Sequence, residues 1–268
     1  MPTPIDILLD PVSLIVLAMY GGLMVWEAVA PGRDLPRIKG WVLRGLAAFA
    51  VFFYLSSYLP LFWDAHFADY QLFDLTALGT AGSAIAGLLI YELAVYGWHR
   101  SMHGSHVLWR GLHQMHHSAE RLDTYGAFYF SPLDMIGWTL LGSLSLVLVF
   151  GVTPQAATTI LLTTTFLTIF QHANIRTPRW LGYVVQRPES HTIHHGRGIH
   201  AYNYSDLPVF DMLFGTFRNP DGFEVETGFY DGASERVLDM ILFRNVGAPV
   251  ESAVVSDEDD LPTPRIAA

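Results

Sequence analysis

The chain contains no cysteine. That absence excludes disulfides, iron–sulfur clusters, thiolate-ligated and c-type haem, and every zinc site built on thiolates; it says nothing about redox compartment. Charge is scarce as well. Only 15% of the 268 residues are charged, against 51% hydrophobic, a balance too apolar for an ordinary soluble domain and suited to a polytopic membrane protein. The formal net charge is −10, which argues against nucleic acid as a partner. Part of that acidity is local, in ESAVVSDEDDLPTP (251–264), which reads as a solvated, disordered tail. HExxH, Glu-x-x-His, P-loop, Gly-rich dinucleotide and GxSxG patterns are all missing. The usual zinc-protease helix, the carboxylate type of di-iron bundle and the serine-hydrolase elbow are thereby set aside.

What the chain has is apolar runs. Residues 11–30, 41–63, 75–98, 135–152 and 155–170 predict about five membrane spans, with four as the alternative if the first lies in the interface. The first run lacks the basic flank and cleavage pattern of a signal peptide, so it is expected to be retained. The expected fold class is an all-α, polytopic membrane helical bundle with a histidine-rich cap. Three parts are expected: N-terminal membrane helices (1–74), a catalytic region including spans three to five (75–220), and a C-terminal extension (221–268). All 15 Lys and Arg fall within 33–44, 100–121 and after 175. With five spans every one lies on one side, which the positive-inside rule makes cytoplasmic. The protein is therefore expected in an inner, cytoplasmic membrane with its C-terminus inside. Gly79, Ser83 and Gly87 form a small-residue ladder for close helix packing. The segment TPRWLGYVVQRP (177–188) reads as interfacial.

Histidine is abundant, at twelve residues, and clustered. His99 and His103 stand four apart at the end of the third apolar run. His113, His116 and His117 form one H-x-x-H-H pattern; His191, His194 and His195 form a second. At spacings of three and four, two or three rings leave one helical turn on the same side. Each turn could aim its imidazoles at a single point. Three such turns offer eight nitrogens, and His172, at the end of the fifth run, offers a ninth. One zinc needs about four ligands; two six-coordinate ions with open positions need about this many. Imidazole suits iron, zinc, copper and nickel alike. Glu92, seven before His99, shares its helix face and could accept a ligand ring's free N–H. His66, His106 and His200 read as surface or loop residues, and the threonines of the fifth run as back-bonded to their own helix.

HRSMH (99–103), HQMHH (113–117) and HTIHH (191–195), in this order and spacing, together with YELAVYGWHR, QHANI and YNYSDLPVFDMLFGTF, resemble the membrane fatty acid hydroxylase/sterol desaturase superfamily over roughly 88–218. The resemblance implies a non-haem di-iron oxygenase that hydroxylates or desaturates a lipid C–H bond with O2 and two electrons. It implies two Fe ions on His99, His103, His113, His116, His117, His191, His194 and His195, with His172 joining them, and zinc as a possible substitute. Glu92, Asn203 and Asp211 match polar positions expected to support those rings. The implied partners are a lipid, the membrane, and a separate electron donor: a ferredoxin, a small cytochrome or a pterin. The chain departs from the family at YFSP (129–132), at Ala201 and at FDM (210–212). Those departures leave the histidine boxes intact and bear on the substrate. A zinc-dependent hydrolase on the same scaffold and a non-catalytic metal- or haem-binding membrane protein are the alternatives.

Overall fold

The structure, a computed structural model, describes residues 1–247; the acidic stretch 251–264 lies outside the described residues. The helices are α1 (Pro4–Leu8), α2 (Pro11–Val29), α3 (Trp41–Tyr58), α4 (Pro60–Ala68), α5 (Gly79–Gly104), α6 (His106–Leu108), α7 (Gln114–His117), α8 (Pro132–Ser143), α9 (Pro154–His172), α10 (Pro188–His194), α11 (Val209–Leu213) and α12 (Val237–Ile241). Four of them start the same way. Thr3, Asp10, Ser131 and Thr153 each cap the helix with a side-chain oxygen, and a proline follows at the first helical position. The cap satisfies a free N–H, and proline costs nothing where no N–H bond is due.

This is an all-α integral membrane protein. Four stretches are long and apolar enough to cross a membrane: Pro11–Val29, Trp41–Ala68, Thr76–Gly104 and Pro132–Val149. The second and third are longer than the apolar runs suggested. α9 is the exception to the five-span expectation. It has 19 residues, but six are threonine, and by composition it falls short of a spanning helix. Its hydroxyls are back-bonded as expected: Thr158, Thr159, Thr163 and Thr164 donate to the carbonyls of Pro154, Gln155, Thr159 and Ile160. α9 nevertheless lies inside the bundle, packed along α2 and α5.

The five long helices alternate in direction. At one end, Leu72 N–H donates to Leu148 and Leu75 N–H to Gly151, and β1 (Phe73–Asp74) pairs in parallel with β2 (Phe150–Gly151). At the other end, Gly32 N–H donates to Asn174, and Glu27 accepts from Thr124 N–H, Thr124 Oγ1 and Asn174 N–H. That second end carries the histidine cap. Glu27, only 7% exposed, thus ties α2 to the loops following α7 and α9. The core between these helices is aromatic. Tyr20 stacks on Phe49 at 4.1 Å, and Phe52 on Phe128 at 5.1 Å.

Two small residues of the ladder serve close packing. Ser83 is fully buried, and a β-carbon on Gly87 would press into Ile160 of α9. Gly79 has open space beside it instead. A tighter approach occurs at Gly45, where a β-carbon would collide with the Tyr125 carbonyl oxygen. Backbone cannot yield as a side chain can. Gly45→Ala is expected to destabilise the protein by about 1–3 kcal/mol. Melting of the purified variant in lipid nanodiscs checks this, and an unchanged midpoint contradicts it.

Candidate metal centre

The histidine turns meet under the ends of α5 and α9. The turn Trp109–His113 is π-helical and runs into α7, a local widening common at functional sites. α10 supplies the last box. The structure brings all nine expected histidines together and divides them. His99, His103, His113, His117 and His194 form one set; His116, His172, His191 and His195 form the other. Within each set one ring nitrogen per residue lies within 4.8 Å of the rest.

This division differs from one aiming point per turn, and helix geometry gives the reason. At about 100° per residue, positions i and i+4 diverge by roughly 40°, while i+3 lies roughly 60° to the other side. His113 and His117 therefore face the first set and His116 the second. In α10 the same spacing works in reverse: His191 and His195 face the second set and His194 the first. One turn of each H-x-x-H-H box serves both sets, while His99 and His103 serve the first alone.

Hydrogen bonds fix the ring tautomers. His99 Nδ1 donates to the Tyr204 carbonyl at 2.8 Å, His103 Nδ1 to His200 at 2.8 Å, and His194 Nδ1 to Tyr202 at 2.7 Å. His113 Nδ1 meets Asp134 Oδ2 at 2.8 Å, and His172 Nδ1 donates to Thr168 at 2.6 Å. A carbonyl only accepts, so the proton is on Nδ1 and the lone pair on Nε2. Burial holds His113, His116, His117, His191, His194 and His195 well below the ordinary histidine range. The rings are thus neutral, the form that binds metal.

Yet the Nε2 atoms face one another. His99 lies 2.9 Å from His113 and 3.0 Å from His194; His172 lies 3.0 Å from both His116 and His191; His195 lies 3.2 Å from His191. His99 and His194 both present lone pairs there and cannot hydrogen-bond to each other. His103 Nε2 and His117 Nε2 are buried with no hydrogen-bond partner. Such a donor set fits a cation at each of two centres. Nitrogens about 2.1 Å from an ion sit roughly 3.0 Å apart at right angles and roughly 3.4 Å apart in a tetrahedron. The closest observed separations, 2.9–3.2 Å, are of the size found between neighbouring ligands of one ion.

Glu92, Asn203 and Asp211 touch no ring. Glu92 accepts from the backbone N–H groups of Asp206 and Leu207. Asp211 accepts from the N–H groups of Tyr204 and Ser205 and from both neighbouring hydroxyls, Ser205 and Thr216. Asn203 donates to the carbonyls of Ser190 and Arg218 and accepts from Arg218 N–H. All three hold the loop 200–206, whose carbonyls take the ring N–H groups. His200, Tyr202 and Asn203 adopt φ of 41°, 70° and 51°, a region costly for residues other than glycine. This strain turns the carbonyls of His200 and Tyr202 toward His103 and His194.

The carboxylate expected from Glu92 is instead Asp134, fully buried at the start of α8. Sequence reasoning missed it; the available signal was an acid beside a proline opening an apolar run. It also missed Glu27, and His200, whose Nδ1 lies 3.2 Å from His117 Nδ1. His66 and His106 are exposed, as expected.

A cavity of about 430 Å³ opens from the second set and one wall of the first. His99, His113, His116, His172 and His191 line one end; Pro60, Leu146, Ala157 and Leu161 line the other. From His172 to Ala157, α9 forms its wall for roughly 22 Å. Thr158, Thr164, Thr165 and Thr168 also line it, so Thr158 and Thr164 are both back-bonded and cavity-facing.

A buried, two-part cluster of neutral imidazoles at the end of a membrane bundle, opening on a long cavity, is a membrane site that could hold metal. Residues 84–216 match the fatty acid hydroxylase family, and through them the chain belongs to that family. It is 32% identical over 145 residues to ornithine lipid hydroxylase OlsE of Rhizobium tropici, covering 52% of this chain and 43% of that one. It is 27% identical over 172 residues to sphinganine C4-monooxygenase 1 of Arabidopsis thaliana, covering 60% and 65%. It is 26% identical over 155 residues to very-long-chain aldehyde decarbonylase GL1-9 of Oryza sativa, covering 52% and 58%. The chain thus spans about half to two-thirds of these relatives. No solved structure matches it.

Removing the carboxyl partner of a proposed ligand ring should weaken the centre without removing a ligand. Asp134→Ala is expected to lower metal affinity about 10–100-fold, read by competition with a chelator of known strength. Unchanged affinity would show that His113 needs no such partner.

Proposed function

We propose that this protein is a membrane-bound, non-haem di-iron oxygenase that hydroxylates or desaturates a lipid C–H bond, consuming O2 and two electrons. One iron is held by His99, His103, His113, His117 and His194, the other by His116, His172, His191 and His195. The observation that carries this reading is the pair of nitrogen sets, with ring nitrogens about 3 Å apart. Family membership and the names of the relatives, two lipid-modifying oxygenases among them, support the lipid. Irons so held supply dioxygen activation at the wall of the cavity.

The chain's own residues supply placement. Phe130 packs 4.4 Å from the His116 ring and Trp138 5.7 Å from His99, and both line the cavity. They place apolar surface beside the His116 and His99 rings and exclude water there. Holding an alkyl chain against the rings converts an encounter into a fixed geometry. Electrons come from a separate ferredoxin, small cytochrome or pterin. Arg33, Arg37, Lys39, Arg44, Arg100, Arg110 and Arg121 all belong to the histidine end, which the positive-inside rule assigns to the cytoplasm of an inner membrane. The zinc hydrolase reading is less well supported, because a single tetrahedral zinc would use four of nine rings at wider spacing.

Purified protein is expected to bind about two irons per chain. Lipids of cells with and without the protein, compared in air and at low oxygen, should show an oxygen-dependent product heavier by one oxygen or lighter by two hydrogens. One zinc per chain with an unchanged lipid profile would overturn the assignment.

A further inference from the structure

The metal end of the cavity is not wholly apolar. Asp206 lines it beside His172 and His99. It is 7% exposed, and its Oδ1 accepts from Gln171 Nε2 at 2.7 Å. Oδ2 has only a long contact, 3.4 Å from Thr168 Oγ1. A carboxylate has about four acceptor positions, so half of its capacity is free. Among the described residues no Lys or Arg pairs with Asp206 or with neighbouring Glu92. Buried acids without a counter-charge are costly, and burial pushes Asp206 up to about 7.

Its position relative to the rings is fixed from two sides. Thr168, which donates to Asp206, gives its carbonyl to His172 Nδ1. Tyr204, two residues before Asp206, gives its carbonyl to His99 Nδ1. Asp206 therefore sits between the supports of one ring from each set. The opposite end of the cavity, around Leu146, Ala157 and Leu161, is mostly aliphatic, with the half-buried Asp64 and the hydroxyls of Ser56, Ser143 and Thr158 also in its lining. The chamber has a buried hydrogen-bond acceptor at the reacting end and a mostly apolar channel leading away from it, with Asp64 as its second acid.

Resting on the oxygenase reading, we propose that Asp206, held by Gln171 and Thr168, is a head-group subsite that binds a hydrogen-bond donor on the substrate, an ammonium or a hydroxyl. The tail then runs along α9 toward Ala157. The oxidised carbon lies within a few bonds of the head, not at the tail end. Substrates with an anionic head are disfavoured by repulsion from Asp206.

The test uses the full chain in nanodiscs, with stearylamine, stearyl alcohol and stearate competing against a fluorescent long-chain probe. Wild type should prefer the amine or the alcohol over stearate by roughly tenfold. Amine above alcohol identifies an ammonium; alcohol equal to or above amine identifies a hydroxyl. Asp206→Asn should erase most of an amine preference, while Thr168→Val, which removes only the long contact, should reduce it little. Equal binding of all three by wild type overturns the proposal, and so does an amine preference that survives Asp206→Asn or an alcohol preference that survives Asp206→Leu. Metal content is measured on the same samples. Metal-loaded wild type without head-group preference sinks the subsite alone; a preference in protein that binds no iron sinks the oxygenase reading and leaves the subsite standing. If Asp206→Asn loses its metal, the wild-type comparison decides.

Discussion

Lone pairs on neutral imidazoles repel at 3 Å unless a cation lies between them. The cap of this protein holds such a contact between His99 and His194, whose Nδ1 protons are both committed to carbonyls. Protonating the rings would turn some contacts into hydrogen bonds, but burial opposes the charge. Moving the proton to Nε2 would break bonds to the carbonyls of Tyr204, Tyr202 and Thr168. For His99 and His194 the surrounding backbone thus enforces an arrangement that a shared cation would make favourable.

Much of the remaining architecture supports that backbone. The loop 200–206 bends through three left-handed residues, and its conformation is held by Asn203, Asp211 and Glu92. These polar groups lie one step behind the carbonyls, not behind the rings. A carboxylate on α5 can therefore govern His99 without touching it: Glu92 fixes Asp206 N–H, and Tyr204 lies two residues away. Glu27 does comparable work across the bundle, joining α2 to the loops that follow α7 and α9.

The sequence made the bundle, the family and the nine histidines legible, because apolar runs and H-x-x-H-H spacings are local patterns. What it concealed was relational. That His116 parts from His113 and His117 follows from helical angles, but only once the position of α10 opposite is known. Asp134 meets His113 across 21 residues, and no spacing rule announces such a pair. α9 looked like a fifth span by length; its six threonines made it marginal by composition. Their second role, lining a cavity shared with α3, α5 and α8, depends on which face of α9 turns inward. Glu92 was recognised as a buried acid with a task near His99, but its partner was backbone from 114 residues away.

The central claim is that the nine rings grip two metal atoms in the division five and four. Anomalous diffraction from crystals of the iron-loaded protein, collected on either side of the iron edge, tests it most directly. The account predicts two iron peaks, one enclosed by His99, His103, His113, His117 and His194, the other by His116, His172, His191 and His195. A single peak, or iron located away from these rings, would contradict it.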